Sequence, residues 1–221
     1  MTKPKTTRKS VHDRILSTAS GLFYREGIRN VGIDRIVAES GVAKMSLYNH
    51  FKSKDALIEA WLRQQDQEWC EWLKTTIEQR ASNPSQQLLA IFDALREWFE
   101  GPDFRGCAFI NASVELANAD HPGHRVALEH QQSIYHYIKS LAQAAEVLSP
   151  EQLARQLLLL VQGAIVVAMM EGSWSTASQA KKVAAMLIQA APKSGVTETV
   201  LIENMNLSNA ETQRHRENEE F

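Results

Sequence analysis

Residues 33–51, IDRIVAESGVAKMSLYNHF, decide how the rest of the chain is read. Ile33, Ile36, Val37 and Ser40 fall at i, i+3, i+4 and i+7, so a short helix gains one largely apolar side that can pack inward. Gly41 then stops it. The next residues, Ala43 to His50, form a second short helix. At about 100° per residue, Lys44, Met45, Tyr48 and Asn49 fan across one face, while Ala43, Leu47 and His50 lie on the other. Two short helices joined by a tight glycine turn, the second carrying a cation, a phenol and an amide outward, make the layout of a helix-turn-helix whose second helix enters a DNA major groove. An ordinary helical hairpin on a protein surface meets the same spacing, so the flanking segments have to decide.

Upstream, Val11, Ile15, Ala19, Leu22 and Phe23 form a helical stripe that ends at Gly27, a position suited to a left-handed cap. Downstream, Ser53 is placed to cap a third run, with Asp55 in its first turn and Leu57, Ala60 and Trp61 along one side. Three helices therefore frame the motif. Over residues 9–69 the sequence resembles the TetR/AcrR family of bacterial transcription regulators. Its LFYREG (22–27), ESGVAKMSLYNHF (39–51) and KSKDALI (52–58) blocks recur at that family's spacing. The resemblance implies an N-terminal three-helix DNA-binding domain with its helix-turn-helix at 32–51. Two positions depart from the pattern. Gly32 stands where a Thr or Ser cap is usual, although glycine can also cap a helix. Met45 stands where a small residue is common, and its thioether offers only apolar contact, such as that with a thymine methyl.

The expected DNA-contacting set follows. Lys44 can reach guanine or phosphate, and Asn49 is the better reader of a base edge. Met45 and Ser46 share the same helix. Tyr48, His50 and Lys54 match family positions that mostly clamp phosphates, with Ser53 and Lys54 presenting a helix N-terminus to the backbone. Arg35 and Lys52 complete the set. The basic start, MTKPKTTRKS, reads as a mobile arm in residues 1–8, and Arg8 and Lys9 are best placed to follow phosphates or a minor groove. It has no apolar stretch of the kind a secretory signal needs.

Charge is divided unevenly. Through Lys54 there are 11 Lys and Arg against 4 Asp and Glu, a balance of +7; the remainder holds 13 against 22, or −9, which restores the total of −2. A DNA reader joined to a module that avoids polyanions has this asymmetry, and its affinity should fall steeply with salt. The two cysteines, Cys70 and Cys107, are far apart and lack metal-ligand spacing, which argues against a disulfide framework and suits a reducing cytosol.

From Lys54 a helix is expected to reach about Ala81 and leave the DNA-reading unit for a C-terminal domain, residues 70–191. Its tryptophans, Trp72 among them, belong either to the core or to an aromatic-lined cavity. Asn83-Pro84 opens a helix through Phe92 to Glu100. Phe109 to Ala119 reads as an apolar helix with Asn111 and Glu115 four apart on one face. A carboxylate there needs a partner or a wet cavity. Either Glu115 meets a donor on a ligand, or it pairs with a nearby Arg. His121 and His124 flank Pro122-Gly123 beside acidic residues, but they form no recognised zinc pattern and no metal site is assigned. A helix from about His124 to Ala145 follows. After Ser149-Pro150, the run 157–170, LLLLVQGAIVVAMM, is apolar except for Gln162; 14 residues are fewer than the ~20 a bilayer span needs. It is assigned to the core and a subunit interface. A last amphipathic helix, Ser178 to Ala191, carries Val183, Met186, Leu187 and Ala190. The family resemblance implies that these final two helices pair with their symmetry mates. Residues 192–221 read as a polar tail with at most a short helix at 199–206.

The chain is thus expected to be all-α and to regulate transcription. It would be a cytoplasmic, nucleoid-bound homodimeric repressor released from a palindromic operator by a small-molecule effector. Trp72, Phe92, Phe109, Asn111, Glu115, His121 and Gln162 would lie around that effector. No cofactor and no membrane partner are expected. Sensing of a protein or a metal ion instead of an organic ligand stays open, as does an enzyme carrying a DNA-binding appendage. No phosphate loop, nucleophile elbow or zinc-protease motif supports the last.

Overall fold

The computed structural model describes residues 10–116 and 118–194. Among them every regular element is a helix, apart from one antiparallel bridge between Val147 and Lys193. Arg8, Lys9, the rest of the arm and the tail beyond 194 lie outside the described residues, as does the short helix expected at 199–206.

The first core forms where α1 (Val11–Glu26), α2 (Ile33–Ser40) and α3 (Lys44–His50) close around the start of α4 (Lys54–Arg80). The Ser10 hydroxyl caps α1 by accepting the Asp13 N–H at 3.1 Å, and Ile15, Leu16, Ala19, Leu22 and Phe23 form the expected buried stripe. At Gly27 the expected left-handed cap is not what forms. Its φ is +88° but its ψ is 151°, so the chain leaves α1 in an extended path that still requires a glycine. Gly41 does adopt the left-handed conformation and ends α2, with its N–H on the Val37 carbonyl at 3.1 Å. Of the three residues expected on the inner face of α3, only Leu47 is buried; Ala43 and His50 are exposed.

At 27 residues, α4 is a rod of about 40 Å. Its first half buries Leu57, Ile58, Trp61 and Leu62, and its second half buries Leu73 and Ile77. The second set faces a bundle of α5 (Pro84–Glu100), α6 (Ala108–Glu115), α7 (Pro122–Ala144), α8 (Pro150–Glu171) and α9 (Ser175–Ala190). Prolines open α5, α7 and α8, where the missing N–H costs nothing. Asn83 and His121 cap the first two of these through side-chain acceptors, whereas Ser149 makes no side-chain cap bond. The α6 helix stops at Glu115, well short of Ala119.

The length of α8 differs from expectation. The apolar run is part of a 22-residue helix with mean hydropathy 1.9 over its best 18 residues, so length and composition alone would let it cross a bilayer. One side of it is packed inward through Leu153, Leu157, Val161, Ile165 and Ala168. In α9 the buried stripe is made of Ala177, Ala180, Ala184 and Ile188, so Val183 and Met186 turn outward.

Candidate nucleic-acid interface

The outer face of α3 is built from what its inner side cannot hold. Leu47 anchors the helix in the first core, and the residues flanking it project from the molecule: Met45 is 71% exposed, Tyr48 41%, and Lys44 and Asn49 are also exposed. Ser46 is half-buried. Lys44 is held by Asp34 at the start of α2, with Nζ 2.6 Å from Oδ1, and that carboxylate raises the ammonium's pKa. The carboxylate thereby fixes where the ammonium sits. Arg14 of α1 steadies the turn of the motif by donating to the Ser40 carbonyl at 2.6 Å and the Gly41 carbonyl at 2.9 Å. At the end of α3, His12 stacks on Phe51 with ring centroids 4.9 Å apart and meets His50 edge-on at 5.9 Å.

Two cations placed at the interface from sequence are committed elsewhere. Lys54 points inward: its Nζ donates to the Ile28 carbonyl at 2.6 Å, and partial burial lowers its pKa. Arg35 is bound by the carboxylates of Glu26 and Glu39. Lys52 remains exposed between α3 and α4.

In the helical bundle, a cavity of about 590 Å³ opens between α4, α6, α7 and α8. Phe109, Ile110 and Ser113 line it from α6, His130, Gln131 and Ile134 from α7, and Leu158 and Gln162 from α8. Among the described residues, no Asp, Glu, Lys or Arg lines it. A second cavity of about 320 Å³, walled by Tyr24, Trp98 and Phe104, shares Trp69, Cys107, Phe109 and His130 with the first. The shared wall is well ordered by its contacts. His130 stacks on Phe109 with centroids 3.7 Å apart and planes 10° from parallel, and its Nδ1 lies 2.6 Å from Asp66 Oδ1. Burial lowers the His130 pKa against the opposing pull of Asp66. The Cys70 thiol donates to the same Asp66 oxygen at 3.4 Å, and burial together with that carboxylate pushes its pKa up to about 12.

One short helix touches both regions. While Phe109, Ile110 and Ser113 of α6 face the larger cavity, Glu115 accepts the Arg29 backbone N–H at 2.8 Å, and its carbonyl accepts Arg29 Nε at 2.8 Å. A Cβ on Gly27 would lie 3.2 Å from both Glu115 carboxylate oxygens, a second reason for glycine there. Nearby, the Tyr24 hydroxyl donates to the Gly106 carbonyl at 2.9 Å and accepts the Arg105 N–H at 3.0 Å. The loop after α1 is therefore pinned to the helix that walls the cavity.

Residues 15–61 match the family model described as bacterial regulatory proteins, tetR family, and residues 84–184 match the tetracyclin repressor-like C-terminal domain. A TetR-family transcriptional regulator from Streptomyces coelicolor superposes with a TM-score of 0.77 at 31% identity, covering 82% of this chain and 95% of that one. The chain belongs to the TetR family. Among curated relatives, the HTH-type transcriptional regulator YjdC of Escherichia coli K12 is 25% identical over 151 residues, 68% of this chain and 79% of that protein. The repressor DhaR of a Mycobacterium strain is 29% identical over 110 residues, half of this chain and 54% of that protein. The reduced form of NemR from Escherichia coli shares the TetR fold at a TM-score of 0.70 and 19% identity.

Within this TetR framework, the residues expected around a ligand do not come together in one place. Phe109 and Gln162 line the large cavity. Asn111 and Glu115 instead border a separate cleft of about 210 Å³ against α1, where Arg29 is the partner of Glu115 through its backbone N–H and, by way of its guanidinium, the Glu115 main-chain carbonyl, so the arginine expected from sequence is there but meets the carboxylate by its main chain. Trp72 packs beside Trp69 at 6.3 Å without lining either larger cavity, and Phe92 is core. His121 caps α7 and lies 3.3 Å from Asp55, tying α7 to the first turn of α4. Sequence reasoning missed His130 and Gln131, and left Trp69, with the other tryptophans of α4, open between core and cavity wall. The one local signal was Trp69, polar-tipped and on the inner side of α4; the pairing of His130 with Asp66 spans 64 residues and leaves no local mark.

Proposed function

We propose that this TetR-family regulator is a homodimeric repressor that holds a palindromic operator and lets go when a small organic effector enters the large cavity. The observation that carries the reading is the exposed face of α3, with Lys44, Met45, Tyr48 and Asn49 presented on a rigid three-helix unit. Asn49 reads a base edge, most simply an adenine, while Met45 adds apolar contact. Tyr48 and Lys52 hold the backbone and set the register. Lys54 supports the loop after α1 instead of clamping phosphate.

Dimerisation rests on the outward side of α8 and α9. Leu159, Val167 and Met170 form a stripe on α8, with Gly163 in line, and Val183 and Met186 continue it on α9. An apolar face of that extent needs cover. A second copy supplies it with two-fold symmetry, so two α3 helices face one side of the duplex about one turn apart. The large cavity suits an uncharged, mostly apolar ligand, because no ionised side chain would compensate a buried charge. Such a ligand presses on α6, and α6 holds Arg29 through Glu115; its free energy of action is its difference in affinity for the two separations of the DNA-reading units.

Footprinting of purified protein on genomic fragments, with sedimentation in parallel, tests the reading. The expected result is a protected two-fold symmetric site, bound by a dimer with affinity that falls steeply as salt rises. A monomer, or equal affinity for any fragment and for random duplex, would overturn it.

A further inference from the structure

Halfway along α4, between its two buried stretches, three side chains with different ligand chemistry converge. Asp66 and Cys70 are one helical turn apart on α4, and His130 reaches them from α7. Their oxygen, sulfur and nitrogen ligand atoms all lie within 4.8 Å of one another. We propose that Asp66, Cys70 and His130 bind a divalent ion of the zinc class, which clamps the middle of α4 to α7. A tetrahedral ion about 2.0–2.3 Å from each ligand atom sets those atoms about 3.3–3.7 Å apart; the Asp66–Cys70 pair already stands at 3.4 Å, and the Asp66–His130 pair, at 2.6 Å, has to open by a shift that side-chain rotation supplies.

The surroundings favour such an ion in three ways. The imidazole plane is already fixed, by Phe109 stacked on it at 3.7 Å and by Trp69 edge-on at 5.4 Å, so little ordering remains for binding. The mixed set of thiolate, imidazole and carboxylate matches zinc or cobalt and suits calcium or magnesium poorly. The Asp66 side chain keeps 34% of its surface in solvent, which leaves a water to complete a tetrahedron. On binding, the Cys70 thiol releases one proton to solvent and its sulfur takes up the metal. His130 coordinates through Nδ1 with its proton on Nε2, and the Cys70 and His130 hydrogen bonds to Asp66 are exchanged for metal bonds. The ion would couple to DNA binding because α4 packs against the DNA-reading core at Leu62 and against the regulatory core at Leu73.

Cobalt(II) is the probe. Tag-free protein, stripped with chelator, is titrated with Co²⁺ and then challenged with Zn²⁺. The expected result is tetrahedral visible bands together with a near-ultraviolet thiolate-to-cobalt charge-transfer band. Both should saturate at one ion per protomer and be lost when Zn²⁺ displaces the cobalt. Because the chain has only two cysteines, retention of the charge-transfer band in Cys107→Ser assigns the thiolate to Cys70 without requiring any other variant to fold. Cys70→Ser should abolish that band, and His130→Gln should weaken binding by at least about tenfold, each checked for helical content. Octahedral or absent bands in the wild type, or a charge-transfer band that disappears in Cys107→Ser and survives in Cys70→Ser, would overturn the proposal.

Discussion

Replacing Glu115 by alanine should uncouple the two halves of the molecule before it harms either. The side chain accepts one charge-assisted hydrogen bond, from the Arg29 N–H at 2.8 Å, at a loop whose Gly27 has a positive φ. A hydrogen bond to a charged group contributes about 1.5–3 kcal/mol when well enclosed, but Glu115 is half-buried and Arg29 exposed, so about 1 kcal/mol is the appropriate size. For a chain of this length that lowers Tm by about 2–4 °C. Locally the same loss raises the open population of the Arg29 amide about fivefold. Hydrogen exchange followed by mass spectrometry on peptides covering residues 27–31 measures it directly, and Glu115→Gln, which keeps an acceptor without the charge, should fall between. Helical content and operator binding should persist, since α3 and its supports are untouched. Unchanged exchange at Arg29 in Glu115→Ala, with an unchanged melt, would refute the claim that α6 pins the DNA-reading unit.

Further outcomes follow from other contacts. Asn49→Ala should relax the preference at one base position by about 1–3 kcal/mol, whereas Tyr48→Ala should weaken all sequences alike; binding to a randomised operator library separates them. Gly123→Ala places a Cβ 2.7 Å from Leu116 Cδ1 and 3.0 Å from Ile58 Cγ2 at the packed start of α7. It should destabilise by about 1–3 kcal/mol in a denaturant titration, and a neutral result would mean that this junction is looser than described. Met186→Glu puts a charge on the outward stripe of α9; sedimentation should show a shift toward monomer with the fold intact, and an unaltered dimer would move the interface elsewhere.

The helix-turn-helix was legible because its signals are short-range. Gly41 ends α2 through its own φ, Ser10 and Ser53 cap through bonds to residues three ahead, and the apolar positions of α1 repeat at the period of the helix itself. The prolines opening α5, α7 and α8 act in the same local way, since a proline loses nothing at a first helical turn. From such signals came the all-helical class, the order of the elements and the exposed set on α3.

Which charges were free and which were already spent depended on chain segments far apart. Lys54 looks like a phosphate clamp until the Ile28 carbonyl, 26 residues earlier, receives its ammonium. Glu115 looks like a ligand's partner until Arg29, 86 residues away, folds against it. His130 carried no meaning beside its own neighbours, and gained one only when α7 laid it against Asp66 and Cys70. The sequence by itself determined which segments are helical and in what order, because caps, opening prolines and the apolar period act within a turn or two, though not every end, since α6 stops at Glu115. Only the tertiary structure decided what each polar side chain does, because a buried or paired charge takes its role from the group that desolvates or neutralises it, and packing alone chooses that group.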